Sequence, residues 1–254
     1  MNGFKGKKIG LALGGGAVLG AAHIGVLKAL KENDVNIACI AGTSVGAFIG
    51  AFFAFGVEWD EIDRIARNLK WLDVSRMSIS QYGLLSNSKL GDLLIEHVGD
   101  VSFDQAVIPL AMVAADISTG EKVVIREGSI SSAAMASSCI PGIFVPVEMN
   151  GRLLVDGGIV ENVPISPLQE MKVDLIIAVD LNSGLREERP GNIVEVLLRS
   201  FNFMLASATR LQIEGADILI QPDLSAFNMY DMDQSGNLFE AGYLEAMKML
   251  KEVM

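Results

Sequence analysis

Gly42-Thr43-Ser44-Val45-Gly46 stands between an apolar segment of strand length, residues 37–41, and one of helix length, residues 47–55. A G-x-S-x-G sequence between a buried strand and a helix is typical of a nucleophile elbow, the sharp turn that presents a catalytic serine. Side chains at Gly42 and Gly46 would collide with neighbouring elements, and the helix N-terminus would offer N–H groups to an oxyanion beside Ser44. The same pattern also fits a glycine-rich turn whose serine only caps the helix.

The composition favours one large α/β domain over residues 1–254. The chain is half apolar, and strand-like and helix-like segments alternate along its 254 residues. That length is enough for a substantial core, and such alternation is typical of a mostly parallel sheet covered by helices. We therefore expect a three-layer α/β/α fold with a mostly parallel central sheet.

Charge and cysteine content restrict the partners and the compartment. The net charge is −11, so we expect no nucleic-acid partner and repulsion from strongly anionic membrane surfaces. Cys39 and Cys139 lie among apolar or small residues, which suits buried thiols in a reducing compartment, the cytoplasm.

No apolar core of signal-peptide length precedes the first strand. Residues 37–57 lack charge over about the length of a membrane span, but the turn in their middle predicts two buried elements instead.

A glycine-rich loop lies one strand and one helix before the elbow. Residues 8–13 predict the first strand, Gly14-Gly15-Gly16-Ala17-Val18-Leu19-Gly20 the loop, and residues 21–31 a helix. The loop lacks the Lys-Ser/Thr of a P-loop and the spacing of a dinucleotide-binding fingerprint, so a nucleotide site is the less favoured alternative. We expect an oxyanion hole formed by Gly14, Gly15 and Gly16.

The rest of the chain predicts further alternating elements. Residues 71–87, of mixed polarity with several serines, predict a loop or mobile flap beside the site. Residues 231–237 begin like a calcium-binding loop, but its twelfth position is Gly242 instead of a bidentate glutamate, so we expect no metal there. Strands are predicted at residues 107–116, 122–126, 152–155, 174–181 and 216–220, and helices at 58–69, 90–98, 130–138, 192–214 (with an apolar stripe through Val196, Phe203 and Leu211) and 238–253.

Taken together, the motifs resemble those of patatin-like phospholipases, and the chain is most similar to the compact bacterial members. That family usually has an arginine where Leu19 stands, which leaves open how this loop is anchored. The resemblance implies a lipid-ester substrate, a serine–aspartate dyad of Ser44 and Asp156, and neither a metal nor an organic cofactor. The residues that carry it are Gly14-Gly15-Gly16 with Gly20, residues 23–27, the elbow formed by Gly42, Thr43, Val45 and Gly46 around Ser44, residues 137–142, Asp156-Gly157-Gly158 and Asn162-Val163-Pro164.

A serine nucleophile needs a base within hydrogen-bonding reach. The two histidines supply a triad poorly, because His23 precedes Ser44 and His97 falls in a predicted helix well before the last strands. Asp156 is the alternative base, although Asp156-Gly157 also fits an ordinary hairpin turn. With Asp156 as base, we expect the acid limb of the pH–rate profile to lie below the histidine range.

The function expected from these observations is a serine esterase or lipid acyl hydrolase, of phospholipase A or lysophospholipase type, that works through an acyl-enzyme. Its expected partners are a lipid or acyl-ester substrate and, transiently, a membrane surface. Two alternatives remain open: an acyltransferase with the same elbow chemistry, and a non-catalytic lipid-binding regulatory protein, which the leucine at position 19 makes plausible.

Overall fold

A computed structural model gives the fold over residues 4–70, 73, 75–78, 80–184, 189–228 and 231–253. Its strands are β1 (Ile9–Leu13), β2 (Ile37–Thr43), β3 (Arg76–Met77), β4 (Gly83–Ser86), β5 (Leu110–Asp116), β6 (Lys122–Ile125), β7 (Gly142–Phe144), β8 (Val147–Met149), β9 (Arg152–Asp156), β10 (Leu175–Val179) and β11 (Ile218–Ile220). Its α-helices are α1 (Ala21–Glu32), α2 (Val45–Ala54), α3 (Trp59–Asn68), α4 (Ser88–Val98), α5 (Ile130–Ser137), α6 (Gly158–Glu161), α7 (Ser166–Glu170), α8 (Ile193–Gln212) and α9 (Ser235–Val253).

The central sheet has eight strands in the order β11-β10-β1-β2-β5-β9-β8, with β6 also paired to β5. Strands β11, β10, β1, β2 and β5 run parallel, so their carboxyl ends meet at one edge. Strands β6 and β9 pair antiparallel with β5. The expected mostly parallel sheet is thus confirmed, and its carboxyl edge is where loops from several strands converge.

Apolar packing on both faces of the sheet makes the three layers. Successive side chains of a strand point to opposite faces, so Leu11 and Leu13 enter one core and Ala12 the other. The larger core receives α1, α2 and α9, and the smaller one receives α7 through Leu168. Both faces are covered, which explains why the central strands read as almost continuous apolar runs.

Residues 71–87 differ from the predicted loop. Strands β3 and β4 pair antiparallel, and β4 pairs parallel with β7, which makes a separate three-stranded sheet. Residues 71, 72, 74 and 79 lie outside the described residues. Short strands of two to four residues carry too little alternation to be told from loop sequence.

The predicted apolar stripe of α8 lies on an exposed face of the helix. Val196, Phe203 and Leu211 are 46%, 55% and 74% exposed. The helix packs through a different row, in which Thr209 is buried and the Gln212 side chain hydrogen-bonds to the backbone around α6.

Among the described helices, none combines the length and apolarity that a membrane crossing needs.

Candidate active site

Ser44 occupies a strained turn at the carboxyl end of β2. Its backbone has φ 54° and ψ −125°, an unusual conformation for a residue with a side chain. A Cβ atom at Gly42 would lie 2.4 Å from the Ala47 Cα, and one at Gly46 would lie 2.1 Å from the Leu13 carbonyl oxygen. Both flanking positions therefore require glycine, as the elbow pattern predicts.

Asp156 ends β9 and lies beside Ser44. Strand β9 continues into α6, so Asp156-Gly157 is not the hairpin turn that the sequence also allowed. The Gly158 N–H donates to Asp156 Oδ1 at 2.8 Å, and the Ser44 hydroxyl interacts with the same carboxyl group. Burial raises the pKa of Asp156 to about 6, while the Ser44 hydroxyl and the Gly158 N–H act in the opposite direction. The predicted pair is thus brought together in a buried, adjacent arrangement.

The glycine loop reaches the nucleophile at Gly15, where an added Cβ atom would lie 3.3 Å from the Ser44 Cβ. Two of its N–H groups are occupied by protein acceptors. The Gly14 N–H donates to the Val179 carbonyl at 3.0 Å, and the Gly15 N–H donates to the Asn162 carbonyl at 3.2 Å. Within the described part of the chain, the Gly16 N–H has no acceptor. Of the three glycines expected to form an oxyanion hole, Gly14 and Gly15 thus have N–H groups that already donate to the protein.

Apolar packing anchors the other end of this loop. Leu19, which stands where the resembled family has arginine, is 3% exposed and belongs to the main core. Ala17 has φ 51°, so the loop and the elbow each hold one non-glycine residue in the left-handed region. Such strain persists only where the surroundings impose it, and it concentrates at functional sites.

Neither histidine is placed to act as the base of Ser44. His23 is fully buried and its Nε2–H donates to the Gly14 carbonyl at 2.7 Å, so this hydrogen bond holds the glycine loop to α1. Burial lowers the pKa of His23 to about 4, which keeps the ring neutral at pH 7. His97 is exposed on α4 and packs edge-to-face against Phe52 at 5.9 Å.

Ser137, at the end of α5, was missed as a separate site residue although it begins one of the resembled motifs. Its Oγ accepts the Ser44 N–H at 2.9 Å and donates to the Val113 carbonyl at 2.6 Å. The neighbouring Cys139 carbonyl accepts the Asp156 N–H at 2.8 Å. Residues 137–139 therefore fix the backbones of both members of the pair.

An apolar cavity of about 150 Å³ opens at Ser44. Helices α2 and α3 contribute to its wall, with Phe48 and Phe52 from α2 and Ile62 from α3. The Ser138 hydroxyl is buried in the wall and has no hydrogen-bond partner among the residues that the structure describes. In the described ranges no cluster of three His, Cys, Asp or Glu side chains is arranged to hold a metal ion. The arrangement offers a hydroxyl nucleophile, a carboxylate and space for a hydrocarbon chain.

Sequence comparison finds relatives over most of the chain. A sequence model described as patatin-like phospholipase matches residues 11–168. An uncharacterized NTE family protein of Mycobacterium tuberculosis is 39% identical over 199 residues, which cover 76% of this chain and 55% of that protein. The lysophospholipase NTE1 of Cryptococcus neoformans is 31% identical over 186 residues, covering 70% of this chain and 11% of that protein. The chain thus spans about half the length of the mycobacterial relatives.

A solved structure has a similar fold. VipD from Legionella pneumophila superposes with a TM-score of 0.56 at 14% identity, over 97% of this chain and 67% of that one. At such low identity the likeness concerns the arrangement of strands and helices, not the chemistry of the site.

Proposed function

The chain belongs to the patatin-like phospholipase family, and from this premise we propose that it is a serine hydrolase that cleaves carboxylic ester bonds of lipids. The observation that carries the proposal is the buried pair of Ser44, strained at the end of β2, and Asp156, whose pKa burial raises to about 6. A carboxylate with that pKa is ionised at pH 7 and is a stronger base than an ordinary aspartate.

In the proposed mechanism Asp156 takes the hydroxyl proton while Ser44 Oγ bonds to the ester carbonyl carbon. Collapse of the tetrahedral intermediate breaks the bond to the leaving alcohol, which receives the proton from Asp156. Water then attacks the acyl-enzyme, with Asp156 again as base, and Ser44 regains its proton as the fatty acid departs. Every proton therefore passes through a single carboxyl group.

The oxyanion is assigned to backbone N–H groups that have no other acceptor. Those of Gly14 and Gly15 already donate to carbonyls, so of the three glycines only Gly16 has an N–H without an acceptor among the described residues. Val45 offers a second N–H at the start of α2, where the helix dipole adds a partial positive charge. Loss of one such donor typically costs about 10²–10³-fold in kcat.

The proposed substrate supplies an acyl chain to the cavity beside Ser44. A cavity of about 150 Å³ is comparable to one that holds benzene, so it fits roughly six chain carbons. The remainder of a longer chain, and the head group, would lie outside it. Phospholipids, lysophospholipids and neutral acyl esters all meet this requirement, and one relative carries the name lysophospholipase.

Two further expectations are kept as proposals. Residues 1–254 form one hydrolase domain, supported by the single sheet that joins the glycine loop, the elbow and Asp156. The compartment is the cytoplasm, supported by two free and buried cysteine thiols, Cys39 and Cys139.

Labelling with a fluorophosphonate probe tests the proposal directly. The parent protein should be labelled at Ser44 and should hydrolyse a p-nitrophenyl ester, and Ser44→Ala should lose both activities because it removes only the nucleophilic oxygen. Ser138→Ala is the matched control, since it removes a hydroxyl from the same cavity and should still be labelled. An unlabelled parent, or a folded Ser44→Ala variant that keeps its activity, would remove Ser44 from the mechanism.

Product analysis separates hydrolysis from acyl transfer. A hydrolase releases the fatty acid whether or not an alcohol acceptor is added. Accumulation of the acyl ester of an added glycerol acceptor, at the expense of free fatty acid, would instead favour the acyltransferase.

A further inference from the structure

Carbonyl groups of the glycine loop, like N–H groups of the same loop, take part in hydrogen bonds to the rest of the protein. Asn182, just beyond β10, donates its Nδ2–H to the Gly15 carbonyl at 2.7 Å. Because a carbonyl oxygen can only accept, this contact also fixes which end of the Asn182 amide faces the loop. Asn182 is 167 residues from Gly15 in the sequence and is 7% exposed.

The Gly15 carbonyl and the Gly16 N–H belong to the same peptide group. In a trans peptide these two groups point in opposite directions, and the chain contains no cis peptide among its described residues. The hydrogen bond from Asn182 therefore also fixes the direction of the Gly16 N–H, which faces away from Asn182. Among the described residues, the Gly16 N–H has no acceptor.

A peptide group between two glycines is unusually free to rotate, because glycine populates both signs of φ with similar ease. Rotation by half a turn would replace the Gly16 N–H with the Gly15 carbonyl at the same place. An oxyanion beside Ser44 would then meet a negative dipole where it needs a positive one. The sequence of the loop alone does not prevent that rotation, so the restraint has to come from outside it.

Asn182 is itself held in place by a buried network. Its N–H donates to Asp180 Oδ1 at 2.9 Å, and Asp180 Oδ2 accepts from the Gln221 side chain at 3.0 Å. Asp180 is 3% exposed, and its own N–H donates to the Ile220 carbonyl at 3.0 Å. The network ties the loop to the ends of β10 and β11, two strands that contribute no residue to the pair of Ser44 and Asp156.

We infer that Asn182 is a positioning residue for the proposed reaction: it holds the Gly15–Gly16 peptide so that the Gly16 N–H faces the oxyanion. The inference rests on the proposed hydrolase function. It adds a part of the site that lies outside the glycine loop, the elbow and the Asp-Gly-Gly motif.

Steady-state kinetics of Asn182→Leu test the inference, with a short-chain ester as substrate. Leucine has a similar volume but cannot donate, so kcat should fall by about 10²-fold, the cost of one oxyanion donor, while KM stays within about twofold. Affinity for an alkyl boronic acid, which forms a tetrahedral adduct on Ser44, should fall by a similar factor. Affinity for the fatty-acid product should not change, because it makes no oxyanion.

Asn87→Leu is the matched control. Asn87 is 2% exposed and its Nδ2–H donates to the Met135 carbonyl at 2.7 Å, so the substitution removes the same kind of buried bond away from the loop. It should lower the unfolding temperature without lowering kcat. If Asn182→Leu does not fold, the smaller Asn182→Ala serves as the second variant, since its methyl group cannot donate to the Gly15 carbonyl.

A kcat within about threefold of the parent in either folded Asn182 variant would overturn the inference. An equal loss in Asn87→Leu would overturn it as well, because the effect would then follow from general destabilisation. Failure of the proposed function itself would appear differently, as a parent protein without Ser44-dependent hydrolysis.

Discussion

At the residue scale, burial decides what Asp156 can do. Its pKa is raised to about 6 by burial, although the Ser44 hydroxyl and the Gly158 N–H lower it. The same physical cause acts in the opposite direction on His23, whose pKa falls to about 4. Aspartate ordinarily has a lower pKa than histidine, but here the pKa of Asp156 lies above that of His23. A pKa of about 6 still lies below the free imidazole value of about 6.5, so the acid limb below the histidine range stays a prediction.

We predict that kcat/KM for a short, non-ionising ester falls as the pH drops through about 6. Below that pH Asp156 is protonated in most molecules and cannot accept the Ser44 proton. The measurement is a pH–rate profile from pH 4 to pH 9, repeated in His97→Ala, where the limb should not move. A limb near pH 4 would match an ordinary aspartate and contradict the raised pKa of Asp156. A limb that disappears in His97→Ala would point to His97 as the base.

The Asp156→Asn variant is the control for the pH–rate profile. It should be inactive, and at high pH its free energy of unfolding should be higher than that of the parent. The pKa of Asp156 is higher in the folded state than its ordinary value of 3.8, so the parent loses stability as the pH rises from about 4 to about 6. Asparagine does not titrate. Its variant should therefore be more stable by about 3 kcal/mol at pH 8, a difference that vanishes below pH 4. An inactive variant that is less stable at pH 8 would show misfolding instead of a lost base.

Leu19 gives the third prediction at this scale. Because Leu19 is 3% exposed in the main core, Leu19→Arg should bury a charge and lower the free energy of unfolding by about 2–4 kcal/mol. Turnover at a temperature where the variant is folded should not rise. Leu19→Met, which keeps the volume and polarity, is the matched control and should cost less than about 1.5 kcal/mol. Urea denaturation measures both, and an arginine variant with unchanged stability and faster turnover would show that the loop gains an anchor from the charge.

At the element scale, α1 and α9 cross so closely that backbone touches backbone. A Cβ atom at Gly242 would lie 2.0 Å from the Ala22 carbonyl oxygen, and one at Gly25 would lie 2.0 Å from the Phe239 carbonyl oxygen. The two glycines let the helices approach over the larger core, and α1 also carries His23, which donates to the Gly14 carbonyl of the glycine loop.

We predict that Gly242→Ala destabilises the protein by about 1–3 kcal/mol or more, because the helices must separate. The expected gain in helix propensity, about 1 kcal/mol, does not offset that cost. Gly236→Ala is the matched control in the same helix, where the added atom meets only the flexible end of Arg67 at 2.7 Å. Thermal unfolding should show a lower transition temperature for the first variant alone. Equal transition temperatures would mean that the helices can shift without loss.

The elements that could be predicted are those whose signal is local. The elbow, the first strand and the glycine loop each show a pattern within about ten residues, and Ser44 and Asp156 follow from motifs that resemble a known family. Ser137 and Asn182 could not be assigned roles this way, since their contacts with the elbow and the loop span 93 and 167 residues. The sequence shows the apolar stripe of α8 but not which face of the helix is buried, because tertiary packing selects between rows at helical spacing.

At the scale of the whole molecule, surface charge and exposed apolar residues act together. The net charge is −11, which favours neutral or zwitterionic lipid surfaces over anionic ones. Helix α8 packs beside Asp156, since a Cβ atom at Gly158 would lie 3.3 Å from Leu205 Cδ1. On its outer side Phe203 and Met204 are 55% and 64% exposed. We propose that this side makes the transient membrane contact expected for a lipid hydrolase.

Vesicle sedimentation tests this contact, and we predict binding to phosphatidylcholine vesicles that weakens when phosphatidylserine is added. The weakening should be larger at low salt, because screening by salt shortens the range of the repulsion. Phe203→Ser should reduce the partition coefficient between vesicles and water about tenfold, because the variant has no aromatic ring to move partly from water into the lipid. Val107→Ser is the matched control, since Val107 is 76% exposed but precedes β5 at the amino-terminal end of the parallel strands, opposite the site. Equal losses in both variants, or tighter binding to the anionic vesicles at low salt, would mean that another surface meets the lipid.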